Sequence, residues 1–300
     1  MAQLFEYAIH VDQRTLPATT LVVTLGSFVD AGCTQELLVK HITSNLPNHV
    51  IGEFDVDRLY DYTGNRPMIG FDRDHFHSYQ SPRMPLSYVK DSSGRGFLLL
   101  SGPEPNLRWE GVADEIAHIV EQHNVEKTVL VSAIPAPVPH TRPIVVSRFA
   151  SEQRLLEGVT PILGSFKMSG TFLGMLSVRL AEKGHPVLGF IAHVPHYLID
   201  NEVPSSALAV AEALTNDTGI ALPTVSLSLA AEVNRAALTA MVQSSQELGE
   251  HIAQLETQYD QFVEDRQRIT AAVEDLPTAD EIGKAAEEFL RGLGGQEPEA

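Results

Sequence analysis

Two short segments carry the side chains best suited to chemistry. His140-Thr141-Arg142 lies between Pro139 and Pro143, and His193-Val194-Pro195-His196-Tyr197 closes a second apolar run. The Arg142 guanidinium offers a forked donor for carboxylate or phosphate. His140 changes charge near neutral pH and so suits acid–base work, while Thr141 and Tyr197 add a hydroxyl and a phenol. Three carboxylates are within range of the same role: Asp30 in Asp30-Ala31-Gly32, Asp61, and Glu104 on the stiff turn Gly102-Pro103-Glu104-Pro105. A carboxylate beside His140 and Arg142 would suit hydrolysis or group transfer. A plainer arrangement uses the same residues: the prolines brace a loop whose polar groups cap carbonyls, Asp61 pairs with Arg66, and Asp30 caps a helix.

Other chemistries find less support. His193 and His196 are three apart, so on a strand they point to opposite faces, and no cysteine or carboxylate lies close enough to complete a metal set. His75-x-His77 is no better supplied, so no metal is expected. Cys33, the single cysteine, excludes a disulfide within one chain. It stands at a predicted helix start, where the dipole favours a thiolate, although a small inert thiol is the commoner outcome. There is no Gly-x-Ser-x-Gly elbow, no His-Glu-x-x-His pair and no Gly-x-x-x-x-Gly-Lys loop. Serine-hydrolase, zinc-protease and P-loop readings are correspondingly weak, and no cofactor is expected.

The elements that must hold these groups alternate. Leu21–Leu25 reads as a buried strand, followed by a helix bearing Leu37, Leu38, His41 and Ile42, with Asp30 as its cap. A strand near 49–54 precedes a polar and aromatic stretch, 57–85. Ser87–Lys90 and Phe97–Ser101 form a hairpin across Ser92-Ser93-Gly94, and a helix follows with Trp109, Val112, Ile116, Ile119 and Val120. Strands at 128–133 and 187–193 each precede a proline-bearing turn, and helices follow at 170–182 and 204–215. Alternation of this kind predicts an α/β layer with a largely parallel sheet. The histidine-bearing turns then leave strand carboxyl ends, where open α/β sheets usually bind ligands. The expected pocket is Asp30, Gly32, Asp61, Glu104, His140, Thr141, Arg142, His193, His196 and Tyr197.

The C-terminal third differs in pattern and charge. From Leu248 a stripe with 3-4 spacing runs through Ile252, Leu255, Tyr259, Phe262, Arg266, Ile269, Val273 and Leu276, interrupted once by the arginine, and predicts a long helix with coiled-coil character that packs either on its own α/β body or on a subunit or client. Pro277 stops it, and Thr278-Ala279-Asp280-Glu281 opens a last helix. Of the net charge of −18, residues 201–300 contribute −13, with 18 acidic against 5 basic side chains. Such a surface repels nucleic-acid phosphates and anionic membranes, so neither is an expected partner. No basic leader, and no uncharged apolar segment near the roughly 20 residues needed to span a bilayer, is present, so a cytoplasmic protein is expected. The expected organisation is an α/β core over 1–228, a helical extension over 229–291 and a disordered tail over 292–300.

In matching order, Gly26-Ser27-Phe28-Val29-Asp30-Ala31-Gly32, Asp61-Tyr62 with Arg66-Pro67, Gly102-Pro103-Glu104-Pro105 with Trp109, Pro139-His140-Thr141-Arg142-Pro143 and Val194-Pro195-His196-Tyr197 resemble the type-two proteasome assembly chaperone family, in a longer actinobacterial-like form. The resemblance spans about residues 15–230 and leaves the 230–291 extension outside it. It implies a three-layer α/β/α fold similar to nucleoside phosphorylases and related hydrolases, with a mixed sheet. It also implies self-association, a trimer being one form, or pairing with a similar subunit or protein client. An ATP-grasp label attached to some relatives is not expected to apply, since there are six lysines and no glycine-rich loop with one beside it. Two functions follow as expectations: an oligomeric scaffold or assembly chaperone, or a small-molecule enzyme with its pocket at the strand ends. For the first, the contact stripe is Leu248, Ile252, Leu255, Tyr259, Phe262 and Ile269.

Overall fold

The computed structural model describes residues 4–8, 16–26, 30–159, 161–162, 164–165 and 167–274, with side chains through 266. Ser27, Phe28 and Val29, the last helix and the tail expected over 292–300 lie outside the described residues. In chain order the elements are β1 (Phe5–Tyr7), β2 (Thr20–Leu25), α1 (Thr34–Asn45), β3 (Asn48–Phe54), β4 (Gly70–Asp72), β5 (His75–His77), β6 (Pro85–Lys90) and β7 (Gly96–Gly102). There follow α2 (Trp109–Gln122), β8 (Lys127–Ala136), β9 (Val146–Ala150), α3 (Phe172–Glu182), β10 (Val187–Pro195), α4 (Pro204–Thr218), α5 (Val225–Gln243) and α6 (Gln246–Glu274).

Eight strands form one mixed sheet in the order β1-β3-β6-β7-β2-β8-β10-β9, and β4 and β5 pair separately. The four central strands, β7, β2, β8 and β10, are mutually parallel. Every residue of β2 is buried, as a strand covered on both faces requires. On one face Leu21, Val23 and Leu25 pack with Val112 and Ile116 of α2 and Phe172 and Leu176 of α3. On the other, Val22, Val129 and Phe190 pack with Leu38 and Ile42 of α1 and with Ala207, Val210 and Leu214 of α4. The fold is therefore the expected three-layer α/β/α sandwich with C-terminal helices added. No helix among the described residues is long and apolar enough to cross a membrane.

Several elements differ from expectation. The short strands β1 and β9 and the β4–β5 hairpin add antiparallel pairings that the apolar pattern does not announce. α5 begins at Val225, ahead of the expected division at 228. β8 and β10 run to Ala136 and Pro195, so Pro135 and Pro195 lie in paired strands rather than in turns. The reason is topological. β2 pairs with β8 only through Leu130, and β9 with β10 only through Ala192. The His193 N–H still bonds the Val145 carbonyl, but at Pro135 and Pro195 each strand is paired on one side only, and proline's missing N–H costs no ladder bond.

Candidate functional site

β8 and β10 continue past the rest of the sheet as a two-stranded ribbon, which carries both histidine-bearing turns to the carboxyl edge together. There the His140 N–H donates to the Tyr197 hydroxyl at 2.8 Å, and the same oxygen lies 2.8 Å from His140 Nδ1. His140 is 8% exposed, and its Nε2 is buried without a hydrogen-bond partner. Burial lowers the pKa of His140, against the opposing pull of Glu256, and pushes that of Tyr197 up to about 12. The pair is thus a neutral imidazole and a protonated phenol sharing a hydrogen bond at neutral pH.

The rest of the first turn is gripped by α6. Arg142 donates through Nε and Nη2 to both oxygens of Asp260 at 2.8 Å, and through Nη1 to Glu256 at 3.2 Å. Thr141 donates to Glu256, and the Tyr259 hydroxyl donates to the Pro143 carbonyl at 2.9 Å. The hydrogen bond from Arg142 lowers the pKa of Asp260, and that ion pair raises Arg142's own. The fork that suits an incoming anion is therefore occupied by carboxylates of the same chain. Within the stripe, Ile252, Leu255 and Tyr259 are buried, whereas Leu248 and Phe262 are partly exposed. The side chain of Ile269 lies outside the described residues.

Under this clasp lies a cavity of about 500 Å³, lined by His140, Tyr197, Leu198, Glu202, Leu238, Met241, Leu248, His251 and Ile252 among others. Asp30 lines a different hollow with Thr24, Gly26, Gln35, Lys40 and Gly102. Its carboxylate accepts the Gln35 amide at 3.0 Å and the Glu36 amide at 3.2 Å, the expected cap of α1. Burial raises the Asp30 pKa in spite of those bonds. Beside it, the buried Gln35 side-chain amide donates to the Leu25 and Val131 carbonyls, 3.2 Å each, and so ties β2 to β8.

Asp61 and Glu104 line neither hollow. Asp61 accepts from the Thr63 amide and hydroxyl, a local turn rather than a pair with Arg66. Glu104 accepts the Phe172 N–H at 2.6 Å at the start of α3. Gly32 is held at φ +69°, where a Cβ would come within 3.0 Å of both Val194 and Val203, so only glycine closes this junction. Its own N–H and C=O bond Ile199 and Val203.

His193 points to Ser147 of β9, and His196 lies 3.3 Å from the Ala136 carbonyl with its ring against His251. The two histidines thus serve different surroundings, and no group of three potential metal ligands occurs among the described residues. Burial, then the charges of Glu36, Asp30, Glu202 and Asp200, raise the Cys33 pKa, the reverse of what thiolate formation at a helix start requires. The residues that complete the site, Glu256 and Asp260, went unassigned because they flank the apolar stripe by helical spacing. Their acidity was legible only as part of a regional excess.

A profile of the PAC2 family matches residues 24–242. The chain belongs to the PAC2 family. No curated protein matches it. Among solved structures, this PAC2 protein is similar to Rv2714 of Mycobacterium tuberculosis, a protein of unknown function, at 32% identity and TM-score 0.85, covering 90% of this chain and 93% of that one. It is also similar to the proteasome-assembly chaperone homologue Rv2125 of the same organism, at 26% identity and TM-score 0.70, covering 78% and 99%. PbaB of Pyrococcus furiosus, an archaeal proteasome activator, shares the PAC2 fold at 14% identity and TM-score 0.58, covering 79% and 97%.

Proposed function

We propose that this protein works without chemistry, as an assembly-chaperone-like scaffold that holds a protein partner, proteasome components being the class its relatives suggest. We further propose that it does so as a cytoplasmic homo-oligomer, with the α5–α6 extension acting as a unit apart from the α/β core. One observation carries the reading: apart from His140 Nε2, the polar groups expected to do chemistry have internal partners. Arg142 is paired with Glu256 and Asp260, Asp30 with helix amides, Glu104 with the Phe172 amide and His193 with Ser147. These bonds fix the junctions of strands and helices, as a rigid holding surface requires. Asp30, Asp61 and Glu104, the carboxylates expected beside His140, do not line its cavity, which speaks against the catalytic alternative.

The test is light scattering of the purified protein, alone and mixed with proteasome α and β subunits from the same cell. An oligomer that co-elutes with unassembled subunits supports the proposal. A monomer that ignores those subunits refutes it. A thermal-shift screen of nucleosides, phosphates and amino acids addresses the alternative, since a ligand at 100 times its dissociation constant adds about 2.7 kcal/mol.

A further inference from the structure

α5 is apolar on two sides, and the body covers only one of them. Leu227 and Ala231 are buried, and Leu227 packs with the half-buried Leu238 against the α/β core. On the other side Val225, Leu229 and Val233 are 83%, 66% and 64% exposed. At 3.6 residues per turn these three share a face with Ala236, Ala237 and Ala240, which are exposed as well. No charged side chain falls within that arc. Glu232 and Arg235 lie beside it and pair with each other.

A helix that is apolar nearly all round belongs in an interior, and a contiguous exposed apolar patch marks an interaction surface. The three alanines keep one half of the face low, so a second helix can approach closely there. Val225, Leu229 and Val233 form the ridge against which it would pack.

The surroundings of this face are acidic. Residues 200–250 hold Asp200, Glu202, Glu212, Asp217, Glu232, Glu247 and Glu250, against the single basic side chain of Arg235. Asp217 is paired with Arg148 and Glu232 with Arg235. The other five are exposed and pair with no lysine or arginine among the described residues. Glu202 adjoins α5, its carbonyl accepting from Asn234 Nδ2 at 3.3 Å. Glu247 lies in the first turn of α6, just past the end of α5.

Charge decides what covers the face. A second copy would set the same acidic rim against itself, and like charges across an interface suppress pairing. The end of the chain is no better suited, because residues 278–293 carry Asp280, Glu281, Glu287 and Glu288 against Lys284 and Arg291, a net of −2. The complementary occupant is a helix of another protein whose apolar stripe is bordered by lysine or arginine. It would give the contact an apolar core and an oppositely charged rim.

We propose that the exposed face of α5 is where the protein partner docks, and that the partner enters through such a basic-edged amphipathic helix. This deepens the scaffold reading and rests on it.

The test uses full-length protein and, as probe, unassembled proteasome α and β subunits from the same cell. Leu229→Ser with Val233→Ser alters the face, and Glu247→Lys with Glu250→Lys reverses part of the rim. All four positions are exposed, so unchanged circular dichroism and melting temperature are expected. The face variant should bind the subunits at least about tenfold more weakly, as the loss of apolar anchors implies. Wild-type binding should weaken as salt rises from about 0.1 to 1 M, and the rim variant should bind more weakly and lose that dependence. A benzophenone amino acid in place of Leu229 should capture, on irradiation, a subunit peptide with a 3-4 apolar stripe and an excess of lysine and arginine.

A face variant that binds as tightly as wild type overturns the inference and leaves the scaffold reading standing. Salt-independent wild-type binding, or capture of an acidic subunit peptide, overturns it in the same way. So does capture of a second copy or of residues 275–300 of the same chain. A wild type that binds neither subunit removes the scaffold reading, and this inference with it.

Discussion

Leu255→Ala is the sharpest probe of whether α6 is held as a separate unit. The helix is anchored by three buried apolar side chains, Ile252, Leu255 and Tyr259, of which Leu255 is the most enclosed at 4% exposure. Truncating a buried leucine removes its transfer free energy and leaves a void; values of about 2–5 kcal/mol are typical. A site between a helix and the body can partly collapse, so the lower half of that range, about 2–3 kcal/mol, applies here. At 1.4 kcal/mol per tenfold, α6 should open roughly 30- to 150-fold more often. Native-state hydrogen exchange reads this directly. Amides between 250 and 262 should exchange faster by that factor, while those of β2 and β8 stay as protected as in wild type. Equal loss of protection in α6 and in the central strands would mean that the helix opens only with the whole fold. No loss in α6 would mean that the stripe does not hold it.

Tyr197→Phe strips the shared acceptor from a buried N–H and leaves His140 Nδ1 bare, and should cost about 1–3 kcal/mol in urea unfolding; a cost below measurement error would refute the assigned hydrogen bonds. Burial lowers the pKa values of His123, His140 and His193 below the ordinary 6.5. The unfolded chain then binds more protons just below pH 6.5, so stability is full above that value and falls as the pH drops through it. Melting temperature should decline between pH 7.5 and 5.5, less so in His140→Gln, and a flat profile would contradict the burial. Gly32→Ala combines a positive φ with a 3.0 Å approach to Val194 and Val203; about 1–2 kcal/mol of backbone strain and 1–3 kcal/mol of overpacking should lower its melting temperature clearly. Raising salt from 0.1 to 1 M should speed exchange in α6 selectively, because the Arg142, Glu256 and Asp260 side chains are 31%, 30% and 51% exposed and open to screening. Salt-independent exchange would show that the apolar anchors act alone.

The strands that position the site were legible because they are buried on both faces. β2, β8 and β10 read as continuous apolar runs, and the helices between them carry one apolar face each. What went unread has a physical cause in each case. β1 is three residues long, and β9 has only one residue, Ser147, fully buried. β4 and β5 expose most of their residues and so show no inward-facing set. α5 presents Val225, Leu229 and Val233 to solvent while burying Leu227 and Ala231, which blurs the 3-4 pattern. Pro135 and Pro195 read as turn residues by composition. Only the order of strands in the sheet reveals that each stands where a ladder bond is not required.

Charge explains why the candidate residues could be named without their partners. The guanidinium of the His140-Thr141-Arg142 turn suits an outside anion, and the −13 of the C-terminal third reads only as a regional acidic excess. The fold brings them to each other. Asp260 and Glu256, one turn apart on α6, present carboxylates at the spacing a forked donor can bridge, and Arg142 bridges them. Thr141 and Pro143 bond the same helix on either side, so three consecutive residues read as a reactive turn form a clasp. His140 alone turns the other way, to Tyr197. The chemistry that suits an anion-binding pocket is the chemistry that fastens an acidic helix to a body. Which of the two a sequence holds is decided by where its own carboxylates fall.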